Sequence, residues 1–332
     1  EELRFEFRGF KKSTENPETL FGGRFIQDVT NNDDVDLCAN LIAGTAWLFA
    51  RPELDQRLDY LFIDEAGQVS LANIVAMGLS ARNIVLVGDQ MQLAQPIQGV
   101  HPGESGLSAL DYLLQGAATI PPEKGIFLPT TWRMHADVCR FISEVIYDGR
   151  LHPEEKNQNR RLLLNVTAHP ELAAAGIRFV PVEHSGCSQK SEEEGRVICD
   201  LFENLMQQHF SDREGKEHLF RMENILVVAP YNVQVNHLRS ILPDGARVGT
   251  VDRFQGQEAE VVLISMTTSS AEDLPRDLEF LYSKNRLNVA ISRARCLAVV
   301  VANPRLLEIP CKTVEQMRLV NALCRAANDS VH

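Results

Sequence analysis

The apolar run Leu58-Asp59-Tyr60-Leu61-Phe62-Ile63 ends abruptly in two adjacent carboxylates, Asp64 and Glu65, and helix-compatible residues follow from Ser70 to Leu79. A near-continuous apolar run of this length fits a parallel strand buried on both faces. Open α/β sheets hold their ligands beyond the carboxyl ends of the strands. Asp64 and Glu65 therefore fall where a phosphate-bound Mg²⁺ could be held. One carboxylate suits the hydrated metal, and its neighbour suits a water that must be oriented or deprotonated. Taken alone, an Asp-Glu pair after a strand equally fits a solvated acidic turn, so the other segments must decide.

A chain of 332 residues can bury two separate cores. Its net charge of −12 argues against coating nucleic acid through overall charge, while leaving room for a local basic groove. The seven cysteines are scattered without a Cys-x-x-Cys pair, which argues against a metal cluster or a disulfide framework. Buried, reduced thiols in a cytoplasmic protein are the expectation. No run reaches membrane-spanning length and no signal-peptide pattern opens the chain. It starts Glu1-Glu2-Leu3 without Met, as a piece of a longer protein would.

Read in order, residues 1 to about 36 are polar and irregular, with Lys11 to Pro17 expected as loop. Leu37–Phe49 is the first core segment, with Leu41 to Thr45 a strand running into a small-residue turn. After the carboxylate strand and its helix, Asn83 to Val87 is a second short strand, ending in Gly88-Asp89-Gln90-Met91-Gln92-Leu93. Leu107–Leu114 is a helix, and Pro121-Pro122-Glu123-Lys124-Gly125 marks a domain junction. Beyond it the expected strands are Ile126–Leu128, Ile177–Val182, Asn224–Ala229, Val248–Val251, Val261–Met266 and Leu297–Ala302. The expected helices are Ala136–Tyr147, Glu192–Phe210, Tyr231–Leu242 and Thr313 to about Ala327. Strands alternating with helices imply mostly parallel sheets in two α/β units.

Polar loops recur just past these strands. They are Trp132-Arg133-Met134-His135, Pro230-Tyr231-Asn232-Val233-Gln234, Gly249 to Glu258, and Asn288 to Arg295 with two arginines projecting from the end of an apolar helix. Each has a bland surface reading by itself. Together they suggest a nucleotide held between two α/β units, one supplying metal and base and the other arginines for the charge on a transferring phosphoryl group. Arginine suits that task because its planar fork meets phosphate oxygens in pairs.

In order and wording these stretches resemble the superfamily 1 helicases, in the branch of the nonsense-mediated-decay helicase and the Dna2-type nuclease-helicases. Ile63-Asp64-Glu65-Ala66 resembles motif II, Gly88 to Leu93 motif III, Trp132 to His135 motif IV, Gly249 to Glu258 motif V, and Asn288 to Arg295 motif VI. The resemblance runs from about residue 37 to residue 305. The wording around Gly99 to Gly106 is similar to bacterial proteins that join a RecB-like nuclease to such a helicase.

The resemblance implies two RecA-like P-loop NTPase domains, a partial one over 1–120 (motifs Ib, II and III) and a second over 121–332 (motifs IV, V and VI). It implies ATP and Mg²⁺ as cofactors, with Asp64 on the metal, Glu65 activating water, Gln92 sensing the γ-phosphate, and Arg133 and Arg293 as arginine fingers. Gly88, Asp89, Gly256 and Glu258 would lie against the nucleotide. Thr45, Tyr231, Asn232, Thr250 and Asp252 would lie on a single-stranded nucleic-acid face, contacting backbone more than bases. Arg295 is given a structural role. The branch implies DNA rather than RNA, 5′-to-3′ movement and a part in DNA repair.

One departure stands out. No Gly-x-x-x-x-Gly-Lys-[Ser/Thr] occurs in these residues, and that loop should cradle the β and γ phosphates. It is expected upstream of Glu1, together with the strand beside the Asp64 strand. The first domain is therefore expected to be incomplete, with an open sheet edge and apolar surface that could pair with another chain. These residues alone are expected to be inactive. Two other classes stay open, a catalytically silent nucleic-acid-binding or scaffold module of a larger nuclease-helicase, and another P-loop phosphotransferase.

Overall fold

The computed structural model describes residues 7–93, 99, 101–275 and 278–330. The sequence readings that extend through 94–98 and over Val100 lie outside them. The chain divides into two compact units, the first of residues 1–90 and 94–116, the second of residues 91–93 and 117–332.

In the first unit, β1 (Gly9–Lys12), β2 (Ile26–Val29) and β3 (Leu41–Ala43) form a parallel sheet in the order β2-β1-β3. The opening segment is thus not irregular as expected. Lys11 and Lys12 are strand residues, and the polar composition hid a short strand whose Phe10 is buried. Helix α1 (Ala46–Phe49) follows. A second, two-stranded parallel sheet pairs β4 (Leu58–Ile63) with β5 (Ala81–Leu86), linked by α2 (Leu71–Gly78). Ser70 caps α2 by accepting from Asn73 N at 3.3 Å. Helix α3 (Ala109–Leu114) is capped in the same way by Ser108. Among the described residues β4 pairs only with β5, so its far edge is open as expected. Leu61 and Ile63 are buried, while Tyr60 and Phe62 on the other face are 60% and 68% exposed.

The second unit opens with a minimal pair, β6 (Thr130–Thr131) and β7 (His152–Pro153), around α4 (Ala136–Ile146). The strand expected over Ile126–Leu128 does not form: these residues are irregular and pair with no strand among the described residues, although Phe127 packs inward between the exposed Ile126 and Leu128. β8 (Arg161–Leu163), β9 (Gly176–Pro181) and α5 (Glu192–Leu205) follow. Three glutamates in the first turn of α5 sit favourably against its dipole. The helix ends short of Phe210, which belongs instead to β10 (His209–Ser211), paired antiparallel with β8 and β11 (Glu217–Leu219). β12 (Ile225–Val228), α6 (Asn232–Ile241), β13 (Arg247–Gly249), β14 (Ala259–Ser265), α7 (Leu278–Leu281), α8 (Lys284–Ser292), β15 (Ala294–Ala302) and α9 (Val314–Asp329) complete it.

The central sheet is parallel throughout, in the order β13-β12-β14-β15-β9. Successive residues of a strand face opposite ways. Val262, Ile264, Ala298 and Val300 therefore join one core with α4, α8 and α9. Val261, Leu263, Leu297 and Val299 join the other with α5 and α6. Past β14, Thr267 adopts φ 71°, costly for a β-branched residue. The buried Glu194 holds it there, accepting from Thr267 N at 2.8 Å and from Ser265 Oγ at 2.5 Å. His184 bridges Glu194 (3.0 Å) to Ser269 (2.7 Å).

The cysteines are free thiols among the described residues, but Cys38 is exposed and only Cys139 and Cys296 are buried. Burial pushes the Cys139 thiol up to about 11 and raises that of Cys296. Among the described residues no helix is long and apolar enough to cross a membrane.

Candidate functional site

In the first unit the candidate residues gather where β4 and β5 end. Asp64 and Glu65 are both exposed, and Glu65 is held at φ 52°, ψ 38° as the turn over Ala66–Gln68 begins. Asp64 Oδ1 accepts from Glu65 N at 2.9 Å, and Glu65 Oε2 accepts from Gln68 Nε2 at 3.4 Å. The loop after β5 lies directly on this turn, with Ala66 N donating to Val87 O at 2.9 Å. Glycine is required on both sides of that crossing. A Cβ on Gly67 would sit 2.7 Å from Asp89 O, and one on Gly88 would sit 2.7 Å from Ala66 N. Asp64, Glu65, Gly88 and Asp89 are thus brought to one end of one sheet. Thr45, also in this unit, is exposed at the start of α1. Gln92 belongs with the second unit, where Asn285 and Asn288 of α8 donate to the carbonyls of Gln92 (2.5 Å) and Met91 (2.9 Å).

No cluster of three or more His, Cys, Asp or Glu side chains suited to a metal occurs among the described residues. That is compatible with Mg²⁺, which is commonly held by one or two carboxylates, waters and the phosphates of its nucleotide. Asp64 has the exposure and the position to be such a ligand.

The second unit assembles arginines around two glutamates. The Trp132–His135 turn is tied to the central sheet by His135 N donating to Arg295 O at 2.8 Å. Arg133 Nε donates to Glu258 Oε2, and its Nη1 donates to Ser292 O at 3.2 Å. Arg295 reaches the same carboxylate from the other side, donating from Nε (3.0 Å) and Nη2 (2.5 Å) to Glu258 Oε1. Its Nη1 donates to Glu260 Oε1 at 2.7 Å. Arg293 does not project from its helix as expected. It is 4% exposed at the end of α8, and its Nη1 donates to Gln257 O at 2.7 Å. The chain turns straight from α8 into β15, and that turn folds Arg293 inward and places Arg295 on a strand.

Burial pushes the Glu258 carboxyl upward, but Arg295 and Arg133 outweigh it and hold the group below the usual glutamate range. Burial and the nearby Arg295 lower Arg160, and burial, with a smaller contribution from Arg295, lowers Arg247. Four arginines (133, 160, 247 and 295) thus share Glu258 and Glu260, and Arg293 is bonded next to them at Gln257 O. The surplus positive charge is suited to a multiply charged anion. Gly256 adopts φ 75° in the loop leading to Glu258, and no side chain would crowd a Cβ there.

The four second-unit residues placed on a nucleic-acid face divide. Asn232 is exposed at the start of α6, and Thr250 is half-buried. The Tyr231 ring is buried and stacks on Phe280 with centroids 5.6 Å apart. Arg286 lies over Phe280 at 4.6 Å and pairs with Asp252 at 3.0 Å. Tyr231 and Asp252 are therefore joined through two residues that sequence reasoning missed. Arg160, Arg247 and Glu260 were missed too. For Glu260 the signal was a charge inside an otherwise apolar strand, which needs a buried partner. Arg160 and Arg247 carried no signal of their own.

The sequence profile of the AAA domain matches residues 107–305. The chain is 27% identical over 305 residues to the DNA polymerase alpha-associated DNA helicase A of Schizosaccharomyces pombe, covering 89% of this chain and 42% of that protein. It is 27% identical over 261 residues to the DNA replication ATP-dependent helicase/nuclease dna2 of the same yeast, covering 74% and 18%. With the DNA-binding protein SMUBP-2 of Mesocricetus auratus it shares 27% over 264 residues, covering 76% and 25%. The chain spans less than half the length of these relatives.

Proposed function

The chain belongs to the AAA-domain family, within the superfamily 1 helicases of the nonsense-mediated-decay and Dna2 type, and from that membership we propose that it is the motor core of an ATP-driven helicase or translocase. The track is single-stranded nucleic acid, DNA rather than RNA, travelled 5′ to 3′. Residues 1–120 act as a partial RecA-like domain and 121–332 as a second.

The observation that carries this reading is the arginine-rich cluster around Glu258 and Glu260, drawn from four separate chain segments. Such a concentration of forked cations suits a polyphosphate. Bound MgATP supplies the phosphoryl group that passes to water. Asp64 would hold the ion, and Glu65 would orient and deprotonate the water. Gln92, Arg133 and Arg293 would respond to the γ-phosphate, and Gly88, Asp89, Gly256 and Glu258 would line the nucleotide. Thr45, Tyr231, Asn232, Thr250 and Asp252 would guide the strand, with Phe280 and Arg286 bracing Tyr231 and Asp252.

These 332 residues contain no Gly-x-x-x-x-Gly-Lys-[Ser/Thr], so we propose that they hydrolyse little ATP alone and that a polypeptide also supplying such a loop is active. In that polypeptide Glu65→Gln is expected to lower nucleic-acid-stimulated turnover about 10²–10⁴-fold while nucleotide binding persists. Absence of stimulated ATPase activity from the unsubstituted polypeptide would overturn the motor reading. It would leave the second reading, a silent nucleic-acid-binding module.

A further inference from the structure

Two of the side chains that the proposed function turns toward the nucleotide in the second unit, Arg133 and Glu258, are bonded to each other. A guanidinium whose Nε and Nη1 are committed to a carboxylate and a backbone carbonyl cannot also present its full fork to a phosphate. In this arrangement each masks the other. Separating them would ordinarily be unfavourable, because it would strand a partly buried carboxylate.

Arg295 removes that penalty. It holds Glu258 through Oε1, the oxygen opposite the one that Arg133 uses. It also bonds Glu260, which is nearly buried on β14 and is further fixed by Asn224 Nδ2 at 2.8 Å. Both ends of this brace are on paired strands, with Ala259 opposite Ala294 in the ladder. Arg295 therefore has two carboxylates and a rigid base. Arg133 has one carboxylate and a carbonyl, and it leaves from a turn. Of the two arginines, Arg133 is the one that can exchange partners.

We propose that Arg295 is a positioning residue. It is the standing counter-ion of Glu258, and it frees Arg133 to leave that carboxylate for the terminal phosphate of a nucleoside triphosphate. The Arg133–Glu258 pair is then a self-masking contact. This inference rests on the nucleotide reading of the site.

The test is equilibrium binding of fluorescent ATP and ADP analogues to the polypeptide that also supplies the phosphate loop, compared among wild type, Arg295→Met, Arg295→Lys and Arg295→Met combined with Glu258→Gln. Arg133 reads the terminal phosphate, so wild type should prefer ATP. Arg295→Met leaves Arg133 as the one arginine hydrogen-bonded to Glu258 among those described and should lower the ATP-to-ADP affinity ratio about tenfold, within the range of coupling seen among networked residues. Glu258→Gln in that background unlocks Arg133 and should restore most of the ratio. A merely structural role would weaken both nucleotides together and would not be rescued. Lysine keeps the charge but cannot span both carboxylates, so Arg295→Lys should give an intermediate ratio, and it is the variant to read if the methionine variant fails to fold. An unchanged ratio in the folded Arg295 variants, or no recovery with Glu258→Gln, overturns the inference. Failure of wild type to bind either analogue overturns the nucleotide reading itself.

Discussion

The central sheet of the second unit and the β4-β5 sheet of the first treat similar residues in opposite ways. In β14, Val261, Val262, Leu263 and Ile264 are all buried, because helices lie on both faces of the sheet. In β4, Leu61 and Ile63 are buried while Tyr60 and Phe62 on the alternate face are exposed. Both strands read as near-continuous apolar runs. Such a run shows that a strand is suited to cover on both sides. Whether these residues supply that cover is a separate matter, decided by what packs against each face. The charged groups divide in parallel. Asp64 accepts from the neighbouring Glu65 N and Glu65 from the nearby Gln68, whereas Arg133, Arg293 and Arg295 reach across segments more than 30 residues distant in sequence.

Leu263 tests the covered side of this comparison most severely. Leu263→Ala removes a fully buried side chain from the core shared with α5 and α6, and is expected to cost about 2–5 kcal/mol. Urea unfolding measures it, and a loss under about 1 kcal/mol would mean that this face is loosely packed.

A smaller effect is expected from acid. The Glu258 carboxyl is lowered in the folded state, so its contribution to stability is present above the ordinary value of 4.5 and is lost as pH falls through the lowered folded value. The stability difference between wild type and Glu258→Gln should therefore narrow below roughly pH 4.5. A difference that stays constant from pH 7 to pH 3 would show that Arg133 and Arg295 do not hold the charged form.

The smallest effect is expected on the bare face. Phe62→Ser should shift unfolding by no more than about 0.5 kcal/mol and should reduce any self-association seen by light scattering. A loss above about 1 kcal/mol would show that the aromatic face is packed after all.

Much was legible in the sequence. The strand at Leu58–Ile63, the helix after it, β12, β14, β15 and the helices α4, α6 and α9 all follow from apolar period and length, and the structure has them within a few residues. The errors fell where period is weak. β1 and β2 are only four residues each in polar surroundings, and Phe210 was drawn into α5 by a helical spacing that the β8-β10-β11 pairing overrode.

For the candidate site, sequence by itself picked out the candidate residues, because carboxylates, glycines and arginines stand just past buried strands and their order resembles that of a family. Tertiary structure alone decided their partners. No local pattern says that Arg133 and Arg295 meet on opposite oxygens of Glu258, that Arg293 turns inward, or that Arg286 links Phe280 to Asp252. Those pairings join segments up to 125 residues apart. Ion pairs and hydrogen bonds are short-ranged and directional, so which ones form is settled only when the sheet register brings the backbones together.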